Sequence, residues 1–325
     1  MLSALGHAVD KVVVIPLNSA KKLQNIVTVS PKGGDFTDPA AAVNSITDAS
    51  VTNLYLVVIG PGSYNLNASG PLVMKEYVSI AGAGEKATKL YGSRSSDSFN
   101  AASAIITGAT NSSLSNLTVE NTGGGNYSTA IYNYQASPDL HNIEVIARDS
   151  NYVCGIQNVN YSSPTLLDVI INSSSASFGY GIRNIDNCYP IMTNVRSWTR
   201  FSTNSHGLYN DHASPSMKNV DLRGTGSSSG YGMTNINIRG FYHPTISNSY
   251  IAGNGSANGY GIYNLNAGQS DVAYSFVSGS TYASYSFNGG TLYADWSILS
   301  GPVTSSSVCF GSRDESRNSL DQNCQ

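Results

Sequence analysis

A pattern of about 26 residues recurs along the middle of this chain, and it limits the possible folds more than any other feature. "CGIQNVNYSSPTLLDVI" begins at Cys154, "YGIRNIDNCYPIMTNVR" at Tyr180 and "HGLYNDHASPSMKNVDL" at His206. An earlier copy starts at Thr129, and later ones start at Tyr231 and at Tyr260, the last without its proline. The first Asn of each copy falls at Asn133, Asn158, Asn184, Asn210, Asn235 and Asn264, with spacings of 25, 26, 26, 25 and 29. Pro138, Pro164, Pro190, Pro215 and Pro244 drift along with it. A period of this length belongs to a solenoid, in which each repeat buries its apolar side only by stacking on its neighbours.

The type of solenoid follows from the spacing of apolar residues inside one copy. Leucine-rich signatures are absent, the period is too short for a propeller blade, and no 3.6-residue stripe supports helices. Apolar residues alternate instead. Ile182 and Asn184 flank an outward Arg183, and after Pro190 the residues Met192, Val195 and Ser197 point inward, with Asn194 turning a corner between them. Copies stacked one strand spacing apart, at about 4.8 Å, give a parallel β-helix. Right-handed crossovers are the rule for parallel strands. The expected fold is therefore all-β, a right-handed parallel β-helix of about nine or ten coils. In it Asn142, Asp168, Asn194, Asn219 and Asn248 form one corner column, and the first Asn residues form another. Both columns read as architecture, because amides stacked coil on coil satisfy turn groups that no sheet covers.

Composition agrees with this reading. Charged residues make up only 11% of the 325 residues, and the net charge is −3. That balance leaves no basic footprint for nucleic acid. No apolar run is long enough for a transmembrane helix. Thr37-Asp38-Pro39 before "AAAVNSI" predicts a short helix, N-capped and with proline at its first position, that covers the open end of the solenoid. Residues 1–8 resemble the end of a signal peptide, with Gly6-His7-Ala8 as a small-x-small motif. Residues 9–302 are expected to form a single β-helix domain with its N-terminal cap, and residues 303–325 a C-terminal tail. Cys309 and Cys324 are spaced to close a loop of 15 residues in that tail. Cys154 and Cys188 sit at different places in their coils and read as small buried fillers. These features place the protein outside the cell or on its surface.

Residues 26–125 contain "IVTVSPKGGDFTDPAAAVNSI", "LYLVVIGPGSYNL" and "LVMKEYVSIAGAGEKATKLYG". This stretch resembles the opening coils of pectinesterases and of the wider pectin-lyase-like superfamily of right-handed β-helices. The later coils resemble bacterial secreted β-helix repeat proteins of unknown function. The resemblance implies the fold and a polysaccharide-degrading activity (lyase, hydrolase or esterase), but the catalytic motifs of pectinesterases do not carry over. "GSYNLN" at 62–67 lacks the acidic residue of the family's G-x-Y-x-E motif. Ser128-Thr129-Ala130-Ile131 stands where a Gln-bearing motif would align, and no Q-D-T or D-F-x-F-G occurs.

Two groups of residues remain as candidates for chemistry. Tyr132, Gln157, Arg183, Tyr209, Thr234 and Tyr263 form an outward column between the apolar position and the Asn. Tyrosines there can stack on sugar rings, and the Arg183 fork can hold a sugar carboxylate, although parallel sheets also favour such side chains for packing alone. Ligand binding is assigned to Tyr132, Gln157, Arg183, Tyr209 and Tyr263. Asp186 and His212 occupy equivalent places two residues past the Asn on neighbouring coils. With Arg183 they are the candidate acid/base set, and their plainer reading is a surface ion pair. No spacing of Cys, His or acids points to a metal, and no motif points to a cofactor. The leading expectation is a secreted or cell-surface, non-catalytic β-helix that binds a polysaccharide or envelope glycan through its Tyr/Arg face. The competing readings are a divergent carbohydrate-active enzyme and a purely structural surface or fibre component, and assembly into oligomers fits any of the three.

Overall fold

Ile131, Ile156, Ile182, Leu208, Met233 and Ile262 are register partners on successive parallel strands, and every one is fully buried. The computed structural model describes residues 25–237, 243–304 and 306–325. Within them the chain winds as a parallel β-solenoid of about 10 turns, 58% strand and 3% helix. In the coil that holds Arg183, a long strand Phe178–Ile185 is followed by a short strand Ile191–Thr193 and by a return strand that begins at Arg196. Each stacks on its counterpart one coil away, Arg183 on Tyr209, Met192 on Met217 and Trp198 on Arg223. Three ladders thus enclose one column of aliphatic side chains, each worth about 1.5–3 kcal/mol on burial.

The proline marks the entry to the short strand. Pro138, Pro164, Pro190, Pro215 and Pro244 each offer their carbonyl to the backbone N–H of the next coil's short strand, at 2.9 to 3.2 Å. Their own missing N–H costs nothing at that position, just ahead of the ladder.

Two corners of the coil are left-handed. The residue two past the first Asn has a φ of 51° to 59° in six coils: Gln135, Asn160, Asp186, His212, Asn237 and Asn266. The residue four past the proline has a φ of 51° to 55° in five: Asn142, Asp168, Asn194, Asn219 and Asn248. Asn and Asp tolerate this region better than other L-residues, which explains their recurrence there.

The first Asn column has a different cause. It lies inside, fully buried, and forms one amide chain in which each Nδ2 donates to the Oδ1 of the next coil's Asn. The distances from Asn133 through Asn158, Asn184, Asn210 and Asn235 to Asn264 are 2.8, 2.7, 2.8, 2.9 and 2.9 Å. The exposed corner column is linked only from Asp168 through Asn194 to Asn219 among the described residues, and there each Nδ2 donates to the Oδ1 of the preceding coil.

The ends are closed as well. Helix α1 (Pro39–Ser45) starts on Asp38, whose Oδ1 accepts from the N–H of Ala40 and Ala41. At the other end, the strands Ser307–Phe310 and Arg313–Asp314 add to the stack. A disulfide joins Cys309 to Cys324 with a Cα separation of 5.1 Å. Cys154 and Cys188 are buried, free thiols. The signal-peptide-like residues 1–8 lie outside the described residues.

Candidate functional site

The outward column is assembled in register. Tyr132, Gln157, Arg183, Tyr209, Thr234 and Tyr263 follow one another across the long-strand ladder, and Tyr285 extends them. Its members differ in access. Tyr132, Arg183, Tyr209 and Tyr263 are half-buried, whereas Gln157 and Thr234 are each 1% exposed beneath their neighbours.

A second outward column, which the sequence reading missed, runs beside the first. It consists of Cys154, Tyr180, His206, Tyr231, Tyr260 and Tyr282. Strict alternation back from Ile182 would turn residue 180 inward. Gly181 breaks that alternation, because a Cβ there would lie 1.9 Å from Ser197 Oγ and 2.6 Å from the Gly207 carbonyl. The strand bends into the core at this small residue, a position that Gly155, Gly207, Gly232 and Gly261 share and that Ala130 and Ala283 fill on the flanking coils, and the bend leaves positions 180 and 183 on the same face. The signal was present in the sequence as Tyr-Gly and His-Gly pairs at the head of the copies.

Together the two columns make an aromatic surface. His206 stacks between Tyr180 at 5.1 Å and Tyr231 at 4.5 Å, with Tyr209 edge-on at 5.5 Å. Tyr260 stacks on Tyr263 and on Tyr285 at 5.4 and 5.2 Å. Further along the same strands, Tyr127, Tyr152 and Phe178 form a stack with centroids 4.4 and 5.3 Å apart. The loop after Gly92 lays Phe99 over this surface, edge-on to Tyr127 at 5.0 Å.

Arg183 is the one cation at the centre. Its guanidinium carbon lies 5.5 Å from the ring of Phe99 and 5.6 Å from those of Tyr180 and Tyr209. Contacts of this kind hold the guanidinium flat against the rings while its N–H edge stays free to bind. No carboxylate pairs with it among the described residues.

Burial sets the protonation of the surface. It raises Tyr132, Tyr180, Tyr209, Tyr260 and Tyr263 above the ordinary phenol range, so each keeps its O–H as a donor. It also pushes His206 down to about 3, helped by the nearby Arg183 charge, so this imidazole is neutral. His206 Nδ1 is hydrogen-bonded to Thr234 Oγ1 at 2.9 Å. Burial lifts the thiols of Cys154 and Cys188 to about 12 and about 11, leaving neither as a thiolate nucleophile near neutral pH.

The candidate acid and base are placed differently. Asp186 and His212 both sit at the left-handed corner, and the backbone N–H of Asp186 donates to the carbonyl of Asp211. The carboxylate partner of the His212 imidazole is its chain neighbour Asp211, with Nδ1 2.8 Å from Oδ1, and Asn237 donates to that same oxygen. The arrangement is a surface contact between chain neighbours, of the kind worth little. Among the described residues no cluster of His, Cys, Asp and Glu is arranged to hold a metal ion.

No protein-family model matches the chain, and no curated protein matches its sequence. Solved structures do match its fold. A pectin methylesterase from carrot superposes with a TM-score of 0.57 at 12% identity, over 92% of this chain and 90% of that one. A pectate lyase gives 0.61 at 15% identity, over 90% and 80% of the two chains. The catalytic domain of an alpha-1,3-glucanase in complex with tetrasaccharides gives 0.55 at 12% identity, over 93% and 66%. The chain therefore has the pectin-lyase-like right-handed parallel β-helix fold that these carbohydrate-active proteins share.

Proposed function

We propose that this protein is a secreted or cell-surface β-helix that binds a glycan along its outward aromatic face, without itself cleaving it. The observation that carries the reading is Arg183. One guanidinium is held by three rings in the middle of an in-register tyrosine surface, with no carboxylate among the described residues to neutralise it. Sugar rings stack on flat aromatic faces, phenol O–H groups donate to sugar oxygens, and the guanidinium fork suits a carboxylate on the sugar. The neighbours in fold, among them a glucanase bound to tetrasaccharides, support a carbohydrate partner. The disulfide supports an oxidising compartment, and no helix among the described residues is long and apolar enough to cross a membrane.

Those same neighbours favour the second reading, a divergent polysaccharide-degrading enzyme using Arg183, Asp186 and His212. A glycan array, calorimetry on the best ligand and a reducing-sugar assay decide between them. Arg183→Ala and Tyr209→Ala are expected to weaken the glycan by about tenfold or more, that is about 1.4 kcal/mol, with no sugar released. Release of sugar that disappears in Asp186→Asn would replace this reading with the enzymatic one.

A further inference from the structure

The return-strand ladder carries a second concentration of cations that the aromatic face does not use. The guanidinium carbons of Arg196, Arg200 and Arg223 lie 4.9, 5.2 and 4.9 Å from the ring of one indole, Trp198. Arg223 also lies 4.6 Å from the ring of Tyr250, which stacks on Phe276 at 5.2 Å. Register explains the convergence. Arg196, Trp198 and Arg200 alternate outward on one strand, and Arg223 is the partner of Trp198 on the next coil.

The acid supply at this place is short. Asp221 takes Arg223 through Nε at 2.7 Å and Nη2 at 3.0 Å, and reaches Arg196 Nε only at 4.0 Å. Arg200 is exposed and pairs with no carboxylate among the described residues. The same column is balanced elsewhere. Three coils back, Glu120 receives both Lys89 and Arg148. Around Trp198 three cations face a single carboxylate, in a chain whose net charge is −3. Arg196 and Arg200, lying against the indole, keep N–H groups for an oxyanion, while Arg223 has given its Nε and Nη2 to Asp221 and adds its remaining N–H groups.

One residue beyond Arg200 the backbone breaks register, and Phe201 stands out with a φ of 61° and 83% exposure. A bulky side chain in the left-handed region is strained, and such strain gathers at sites that bind. Phe201 also walls a cavity of about 620 Å³ whose other sides include Asp149, Ser150, Asn151 and Ser175. A bare ring beside hydroxyl, amide and carboxylate groups suits a sugar.

We propose that Arg196, Trp198, Arg200 and Arg223, together with Phe201, form a second glycan site that selects sugars bearing tetrahedral oxyanion esters. Several guanidinium groups around one indole outnumber the two oxygens of a carboxylate and match the three terminal oxygens of a sulfate or phosphate ester. The inference rests on the reading of the chain as a glycan binder, but it uses a different face.

The test measures binding of the intact protein to dextran sulfate, a phosphorylated mannan, polygalacturonate, unmodified dextran and single-stranded oligothymidylate. Dextran sulfate or the phosphorylated mannan should bind at least tenfold more tightly than polygalacturonate, and the tighter of the two identifies the ester. Salt should weaken that binding. Arg200→Ala and Arg196→Ala should each reduce it by about tenfold, and Arg200→Lys should recover only part of the loss. Circular dichroism of the variants separates lost binding from lost folding. Equal binding of polygalacturonate, equal or tighter binding of oligothymidylate, or indifference to both arginine variants overturns the proposal. Loss of dextran sulfate binding in Arg183→Ala instead of Arg200→Ala would place the anion on the aromatic face and leave only the first reading standing.

Discussion

On the inner side of the long strand, six coils in succession place Asn, from Asn133 to Asn264. On the outer side, one residue earlier, the same six coils place Tyr, Gln, Arg, Tyr, Thr and Tyr. Both columns are in register and both stack, yet only one repeats its residue. A buried amide chain needs a donor and an acceptor on each member, at one length of side chain, so any other residue leaves its two neighbours unpaired. The outer column needs only groups that pack against those above and below, which many side chains do. Repetition therefore marks the positions the fold dictates. Variation marks those where a single coil can acquire its own chemistry, as Arg183 and His206 do.

The sharpest way to break this contrast is to cut each column at one coil. Asn184→Ala removes the acceptor of Asn158 and the donor of Asn210, both fully buried. At about 1–3 kcal/mol for each orphaned group, the loss should be roughly 2–6 kcal/mol. Arg183→Ala, on the adjacent residue, should cost no more than about 1 kcal/mol, the scale of exposed cation–π contacts. Urea melts of both variants read the difference, and equal losses would erase the distinction drawn above.

The second test uses the buried imidazole of the outer face. His206 is held neutral, with its folded pKa near 3 against an unfolded value of 6.5. Above pH 6.5 both states are neutral and the group adds no slope. As pH falls below 6.5, the unfolded state takes up a proton that the folded state refuses, so stability declines until about pH 3. The total is on the order of 5 kcal/mol. His206→Tyr, which matches Tyr180 and Tyr231 on either side, should flatten that part of the profile relative to the wild type. Superimposable pH profiles for the two proteins would mean that the imidazole is not sealed from water.

Much of this was legible in the sequence because the repeat samples each structural position several times. Ile182, Met192, Val195 and Asn184 could be placed from their copies, and all four are buried where the period put them. Asp38 and Pro39 announced their helix by local chemistry alone. The outer face was harder to read. Period-two counting fails across Gly181, where the backbone approach that excludes a Cβ is a tertiary fact, so Tyr180, His206 and Tyr231 stayed hidden. The three arginines around Trp198 were equally hidden, because Arg223 joins the cluster from the next coil and the cluster occurs in no other copy. Asp186 and His212 were drawn together by equivalent position. Equivalence fixed their backbone angle, while the side-chain partner of His212 came from its own chain neighbour.

The smallest effect concerns the exposed corner, where backbone angle and not hydrogen bonding selects the residue. Asn142→Gly should hold stability within about 0.5 kcal/mol of the wild type, because Asn142 stands outside the hydrogen-bonded run from Asp168 through Asn194 to Asn219 and glycine accepts the left-handed angle freely. Asn142→Ala should cost about 1 kcal/mol at that residue's φ of 52°. Two coils beyond Asn219 the same corner is filled by Tyr274, with a φ of 51° and 64% exposure. If angle alone governs this column, Tyr274→Asn, which copies Asn248 on the preceding coil, should raise stability by about 0.5–1 kcal/mol. A loss in that variant would show that the ring of Tyr274 contributes more by packing than its backbone angle costs, and the corner would then follow the rule of the outer face.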